Sequence, residues 1–413
     1  MCVDASRSRL FGRAEFLAAV AAAASPVFAA ASVIEPAAAA TGTASSLPLT
    51  VPENLRVGNM RAARIAASSP FVTRTYAATL GLAHSIGDAA LRESVLAMLR
   101  DPKPFYAKRY PTPDSREALR QSLVREGFLA ADAPLGAIFP SGTEAGATHA
   151  AQPFWTAAGS DANSHHSYPG GLAVHECFNA SLAAQFASTY DRIYFDGKAT
   201  VDRDTVVAAA LYHDIMKTVV FQWNDDGTIF DETPIAATGG HHVLSGAEAI
   251  ARGRSARFVI TLLSAHAAPS LGDETKVATW CRAAAIVAGV DPVDYGLLRK
   301  DGSQFVLAPA YVPIEAFVSY LSDHDYVLSI HAVREVLPEL RRLSPRYVSP
   351  ASATTSAARQ YSSFAWFKND VLANLSAIGL YQTLSRANQA SFDRAIEAFV
   401  SNRPRSAAAV PTR

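Results

Sequence analysis

Seven of the eleven histidines, His165, His166, His175, His213, His241, His242 and His266, fall between positions 165 and 266. Their surroundings have apolar residues at helical spacing, with almost no strand-like alternation. From 171 to 290 that spacing marks five helical segments. The first opens at Gly170-Gly171 and sets His175 on the same face as Leu172, Leu182 and Phe186. The second starts near Asp204 and delivers His213 and Asp214 near its end. A third opens at Gly239-Gly240 with His241 and His242, and a fourth, Ser255 to Ala267, ends in His266. The fifth, Lys276 to Val290, stops at Asp291, directly before Pro292. Each segment therefore brings a histidine or aspartate to an end or to an apolar face.

One histidine on an apolar helix is ordinarily a hydrogen-bonded core residue, and one Asp before Pro is ordinarily a helix stop. Five such segments in succession are harder to read as coincidence. Buried imidazoles and carboxylates are costly unless they pair or share a cation. Imidazole with carboxylate suits Mn, Fe, Zn or Ni, and carboxylate alone also suits Mg. The three cysteines form no C-x-x-C pair, which excludes a structural thiolate zinc site. Four histidines and two aspartates are enough for two divalent ions. A pair about 3.5–4 Å apart activates water and stabilises both oxygens of an in-line displacement at phosphorus.

The rest of the chain frames this region. With 49% apolar and 18% charged residues, it can build a core and is not disordered throughout. Lys plus Arg equals Asp plus Glu, at 37 each, so no basic excess points to nucleic acid. Arg7, Arg9 and Arg13 precede an apolar run from Phe16 to Ile34 that is rich in Ala and broken by Pro26. That layout predicts a cleaved signal over 1–31, export to a periplasmic or secreted location, and no stable membrane insertion. The expected divisions are the signal (1–31), a linker and N-terminal helical region (32–150), a metal-binding domain (151–300) and a C-terminal helical region (301–413). Helices are expected around 70–82, 86–99, 114–127 (capped by Asp114 with Glu117), 313–322, 327–343 and 364–400. A loop spans 131–170, and Asp226-Gly227 suggests a short hairpin between Val220 and Phe230. The fold class is all-α.

The ordered set His175, His213-Asp214, His242, His266, Asp291 resembles the HD-domain metal-dependent phosphohydrolases in their two-metal form. Two stretches carry the likeness further. The run from His165 through His166, Ser167, Tyr168, Pro169, Gly170 and Gly171 to Leu172, followed by His175, is similar to the opening motif of the branch that includes bacterial 3′–5′ exoribonucleases of HD type. Leu211-Tyr212-His213-Asp214-Ile215-Met216-Lys217 is similar to the family's apolar-apolar-His-Asp-Ile-Gly-Lys signature, with Met216 at the glycine. The likeness covers roughly 150 to 300. It implies an all-α helical bundle and hydrolysis of a nucleotide or other small phosphoester by metal-activated water. One ion would be held by His175, His213, Asp214 and Asp291, and the second by His242 and His266 with Asp214 bridging. Asp214 and Lys217 would be catalytic, with Lys217, His165 and His166 toward the substrate phosphate. His241 and Asp294 stand as alternatives to His242 and Asp291.

Other residues are read as structural: Cys177 and Cys281 as small buried hydrophobes, Trp155, Trp280 and Phe364 to Phe367 as core, and Asp323-His324-Asp325 as a solvated helix boundary. Two other functions use the same donor set. One is an HD-fold di-iron oxygenase and the other a non-catalytic HD-type binding domain. Neutral charge and expected export disfavour RNA as a substrate.

Overall fold

The computed structural model describes residues 48–140, 149–270, 272–349 and 360–403, and their regular structure is almost wholly helical. In chain order the helices are α1 (Val57–Ala67), α2 (Pro70–His84), α3 (Ala89–Arg100), α4 (Pro113–Arg125), α5 (Gly171–Tyr194), α6 (Arg203–Tyr212), α7 (Lys217–Val220), α8 (Gly240–Ala251), α9 (Ala256–Leu263), α10 (Glu274–Ala288), α11 (Ile314–Ser322), α12 (Tyr326–Leu343), α13 (Phe364–Leu375), α14 (Ala377–Arg386) and α15 (Gln389–Asn402). The expected all-α class is the observed one.

Short polar side chains start many of these helices. Ser69 caps α2 ahead of Pro70, Asp88 caps α3 and Asp202 caps α6, each accepting a first-turn N–H. At α4 the cap differs from expectation. Thr112 and Ser115 form the capping box two residues earlier, while Glu117 is drawn into an ion pair with Arg120 at 2.7 Å. Beyond α10, β1 (Leu298–Asp301) and β2 (Gln304–Leu307) form an antiparallel hairpin that the apolar spacing did not suggest, turning at Gly302 with φ +60°. Between Val220 and Phe230 the anticipated hairpin is reduced to one bridge, Trp223 to Ile229. The stretch 364–400 is three helices, broken at Ser376 and at Asn388.

The centre of the bundle is built from α5, α6 and α11, with α5 also packed on α2 and α8 on α10. From Val206 to Tyr212 every residue of α6 is buried, so its end projects His213 and Asp214 into the interior. The described residues form one compact unit, with α11 packed directly on α5, α6 and α9. No described helix is long and apolar enough to cross a membrane. The expected signal segment lies outside the described residues.

Candidate metal centre

Five elements converge on one buried point. α5 supplies His175 from its second turn, and the end of α6 supplies His213 and Asp214. His241 and His242 come from the first turn of α8, and His266 from the 3-10 turn that follows α9. Asp323, at the end of α11, completes the set.

Asp214 lies at the middle, with its two oxygens facing different partners. Oδ2 is 3.2 Å from His175 Nε2 and 3.4 Å from His213 Nε2, whereas Oδ1 is 3.3 Å from both His241 Nε2 and His266 Nε2. Asp323 Oδ1 adds 3.1 Å to His175 Nε2 and 3.5 Å to His213 Nε2, and its Oδ2 is 3.2 Å from His266 Nδ1. The donor atoms of Asp214, His241, His242 and His266 lie mutually close, as do those of His175, His213 and Asp214.

These contacts are close but are mostly not hydrogen bonds. Both Asp214 oxygens and Nε2 of His213, His241 and His266 are buried without an aligned hydrogen-bond partner. Buried polar atoms are nearly always satisfied. So many unsatisfied lone-pair atoms aimed at common points fit a cation shared between them.

Outer partners orient the rings from behind. The Ala210 carbonyl lies 2.8 Å from His213 Nδ1, with Glu176 Oε2 at 3.3 Å. Glu232 Oε1 stands 2.6 Å from His241 Nδ1, and Thr238 Oγ1 stands 2.6 Å from His242 Nδ1. A ring whose Nδ1–H is held in this way turns the Nε2 lone pair toward a metal. Asn179, one turn beyond His175, donates to Asp323 Oδ1 at 2.8 Å.

The electrostatics follow from this packing. Burial opposes charge on His175 and His213, yet the adjoining carboxylates overcome it. His175, beside Asp214 and Asp323, is raised to about 9, and His213, beside Glu176 and Asp214, is also raised well above the ordinary histidine value. Asp214 is held well below the carboxylate range despite its burial, by Lys217 and His213. His241 is raised against burial by Glu232, whereas burial and the stacked His266 ring, 3.4 Å away, depress His242. Burial raises Glu176.

Lys217 Nζ lies against Asp214 Oδ2 and donates to the Gly159 carbonyl at 2.6 Å. Met216, next to Lys217, has φ −74°, a conformation any residue adopts. His166 Nε2 is 3.1 Å from Asp325 Oδ2, and His165 lies tilted against His175 with ring centres 4.9 Å apart. Gly170 and Gly171 allow that loop its approach. Gly170 has φ +87°, and a Cβ on Gly171 would fall 1.9 Å from the His166 carbonyl.

Two placements differ from the sequence reading. Asp291 is exposed and outside the cluster, its Oδ1 accepting the N–H groups of Val293 and Asp294 in a turn that follows Gly289. Asp294 is likewise exposed. The segment Asp323-His324-Asp325 is no solvated boundary, since Asp323 is 5% and Asp325 7% exposed. Its three side chains diverge, as consecutive residues must, but Asp323 points to the histidines and Asp325 to His166. Glu176, Asn179 and Glu232 have no place in the sequence reading, and Asp323 enters it only as part of that boundary. Asp323 carried the signal used elsewhere, a carboxylate ending a strongly apolar helical segment.

A cavity of about 320 Å³ opens onto this cluster, lined by His175, Lys217, His241, His242, His266 and Asp323 and walled in part by His165, Tyr320, His324 and Tyr326.

No protein-family model matches the chain, and no solved structure matches it. Over 147 residues it is 27% identical to the dihydroneopterin 2′,3′-cyclic phosphate phosphodiesterase of Methanocaldococcus jannaschii, a match covering 36% of this chain and 42% of that protein. Over that part of its length the chain is thus similar to a phosphodiesterase, and it carries buried His/Asp groups able to hold metal ions.

Proposed function

We propose that this protein is an HD-type metal-dependent phosphohydrolase, acting on a small phosphodiester or phosphomonoester. The observation that carries the reading is Asp214, whose two oxygens address two separate sets of imidazoles. His175, His213, Asp214 and Asp323 would hold one divalent ion. Asp214, His241, His242 and His266 would hold the other. Such ions supply an acidified water and positive charge toward the phosphoryl oxygens. The chain's own residues do the remaining work. Glu232, Thr238 and the Ala210 carbonyl keep the ring lone pairs aimed inward. Lys217, beside Asp214 and lining the cavity, brings a cation to where a substrate phosphate would enter. The relative's cyclic phosphodiester substrate supports a phosphodiester here as well, and the expected signal segment would place the reaction outside the cytoplasm.

The test is elemental analysis of purified protein, then a phosphoester panel that includes nucleoside 2′,3′-cyclic phosphates, with Mn, Fe, Zn, Ni and Mg added back singly. Metal-dependent release of a monoester supports the reading. Oxygen uptake with an iron spectrum, and no phosphoester hydrolysed, would replace it with the di-iron oxygenase.

A further inference from the structure

Four aromatic rings follow one another along the cavity wall, starting beside the metal cluster. His165 lies 4.9 Å from His175, Tyr326 lies 6.2 Å from His165, His324 lies 5.6 Å from Tyr326, and Tyr320 lies 4.7 Å from His324, centre to centre. All four line the 320 Å³ cavity. Tyr320 and Tyr326 are not among the described aromatic residues packed on the hydrophobic core, and Tyr326 is 38% exposed. Aromatic rings that serve the core are covered by it. These stand at a pocket wall, tilted to one another, with Tyr326 the most open of them.

We infer that the rim formed by Tyr320, His324 and Tyr326 with His165 is a stacking platform for a planar heterocycle borne by the substrate. This rests on the phosphohydrolase reading and narrows its substrate to a phosphoester carrying such a ring. Two observations favour a small flat ligand over a lipid or a polymer. The wall is built of rings rather than aliphatic side chains, and the cavity has room for one mononucleotide-sized molecule but not for a polymer. Stacking on aromatic side chains tolerates any flat base, because every base has a π-face. The rim selects a ring as a class and leaves its edge unread.

The experiment is calorimetric binding of adenosine 5′-monophosphate and of ribose 5-phosphate to the manganese-loaded protein. Loss of one stacked base typically weakens binding by roughly five- to a hundredfold. The nucleotide should therefore bind about tenfold more tightly than the ring-less phosphate. That ratio should collapse toward one in Tyr326→Ala and persist in Tyr326→Phe, which keeps the ring. Equal affinities in the unmodified protein, absence of nucleotide binding, or a ratio that survives Tyr326→Ala combined with His324→Ala would each overturn the platform. Failure of the enzymatic reading shows separately: a preserved nucleotide preference with no hydrolysis of any phosphoester would sink the hydrolase and leave the platform standing.

Discussion

Asp323 stands 3.1 Å from the Nε2 of His175, so the end of α11 closes a cluster whose other members all come from residues 175 to 266. If Asp323 is a ligand, Asp323→Ala should lower metal content and cut phosphoester turnover by ~100-fold or more, beyond the roughly 10–100-fold that follows loss of an outer partner. Asp291→Ala should leave metal content as it was, since its carboxylate only caps a turn. Elemental analysis of the two variants decides this, and metal loss on the Asp291 side alone would return the ligand role to that position.

Asp214→Ala should remove both metals, because both sets of imidazoles face this one carboxylate. It also strands the buried Lys217 ammonium, and breaking a buried ion pair from one side costs about 3–5 kcal/mol. Asp214→Asn keeps the shape and loses the charge, so it should bind less metal while melting closer to the parent. A variant that keeps two ions would show that Asp214 does not bridge.

The two adjacent histidines can be separated through their partners. Glu232→Gln weakens the hold on His241, and Thr238→Val removes the contact to His242. Glu232→Gln is expected to weaken metal affinity about 10–100-fold, as losing an outer carboxylate does elsewhere. A competition titration with a chromophoric chelator measures it. A larger effect from Thr238→Val would make His242 the principal ligand.

The metal-stripped protein should be less stable in mild alkali. His175 is raised from the ordinary histidine value of 6.5 to about 9, so the folded state holds its proton to higher pH than the unfolded chain does. That stabilisation is complete below about pH 6.5 and is lost as pH rises through about 9. Bound metal displaces the proton, so metal uptake should release protons and strengthen over the same window. Melting curves between pH 6 and 10, with chelator and with manganese, test both halves. A chelated protein whose midpoint rises across that range would contradict the ion-pair assignment.

Gly171→Ala should be severely destabilising even though it adds one methyl group. The new Cβ would fall 1.9 Å from the His166 carbonyl, forcing the His165-His166 loop or the start of α5 to move, and overpacking of this kind costs about 1–3 kcal/mol or more. Gly136→Ala, where a Cβ meets nothing within 4 Å, is the control. A midpoint unchanged in Gly171→Ala would mean the loop yields freely.

Much of this protein is determined locally. Apolar periodicity specifies α2, α3, α5, α6 and α8 to α12 within a few residues, helped by short polar caps at α2, α3, α6 and α9, because burying one face of each segment is settled by its own spacing. The same spacing sets His175, His213, Asp214, His241, His242 and His266 inward or at helix termini. What periodicity cannot express is which distant segment lies opposite. Asp291 and Asp323 each end an apolar helical segment, and nothing local ranks one above the other. Packing of α11 on α5, α6 and the turn carrying His266 brings Asp323 inside. The left-handed turn at Gly289 leads Asp291 to the surface. Glu232 and Asn179 are likewise ordinary polar residues along the chain, and they acquire a role only because folding buries them against an imidazole and a carboxylate. The chemistry of the donors is written in the chain, and their membership in one site is a property of long-range packing alone.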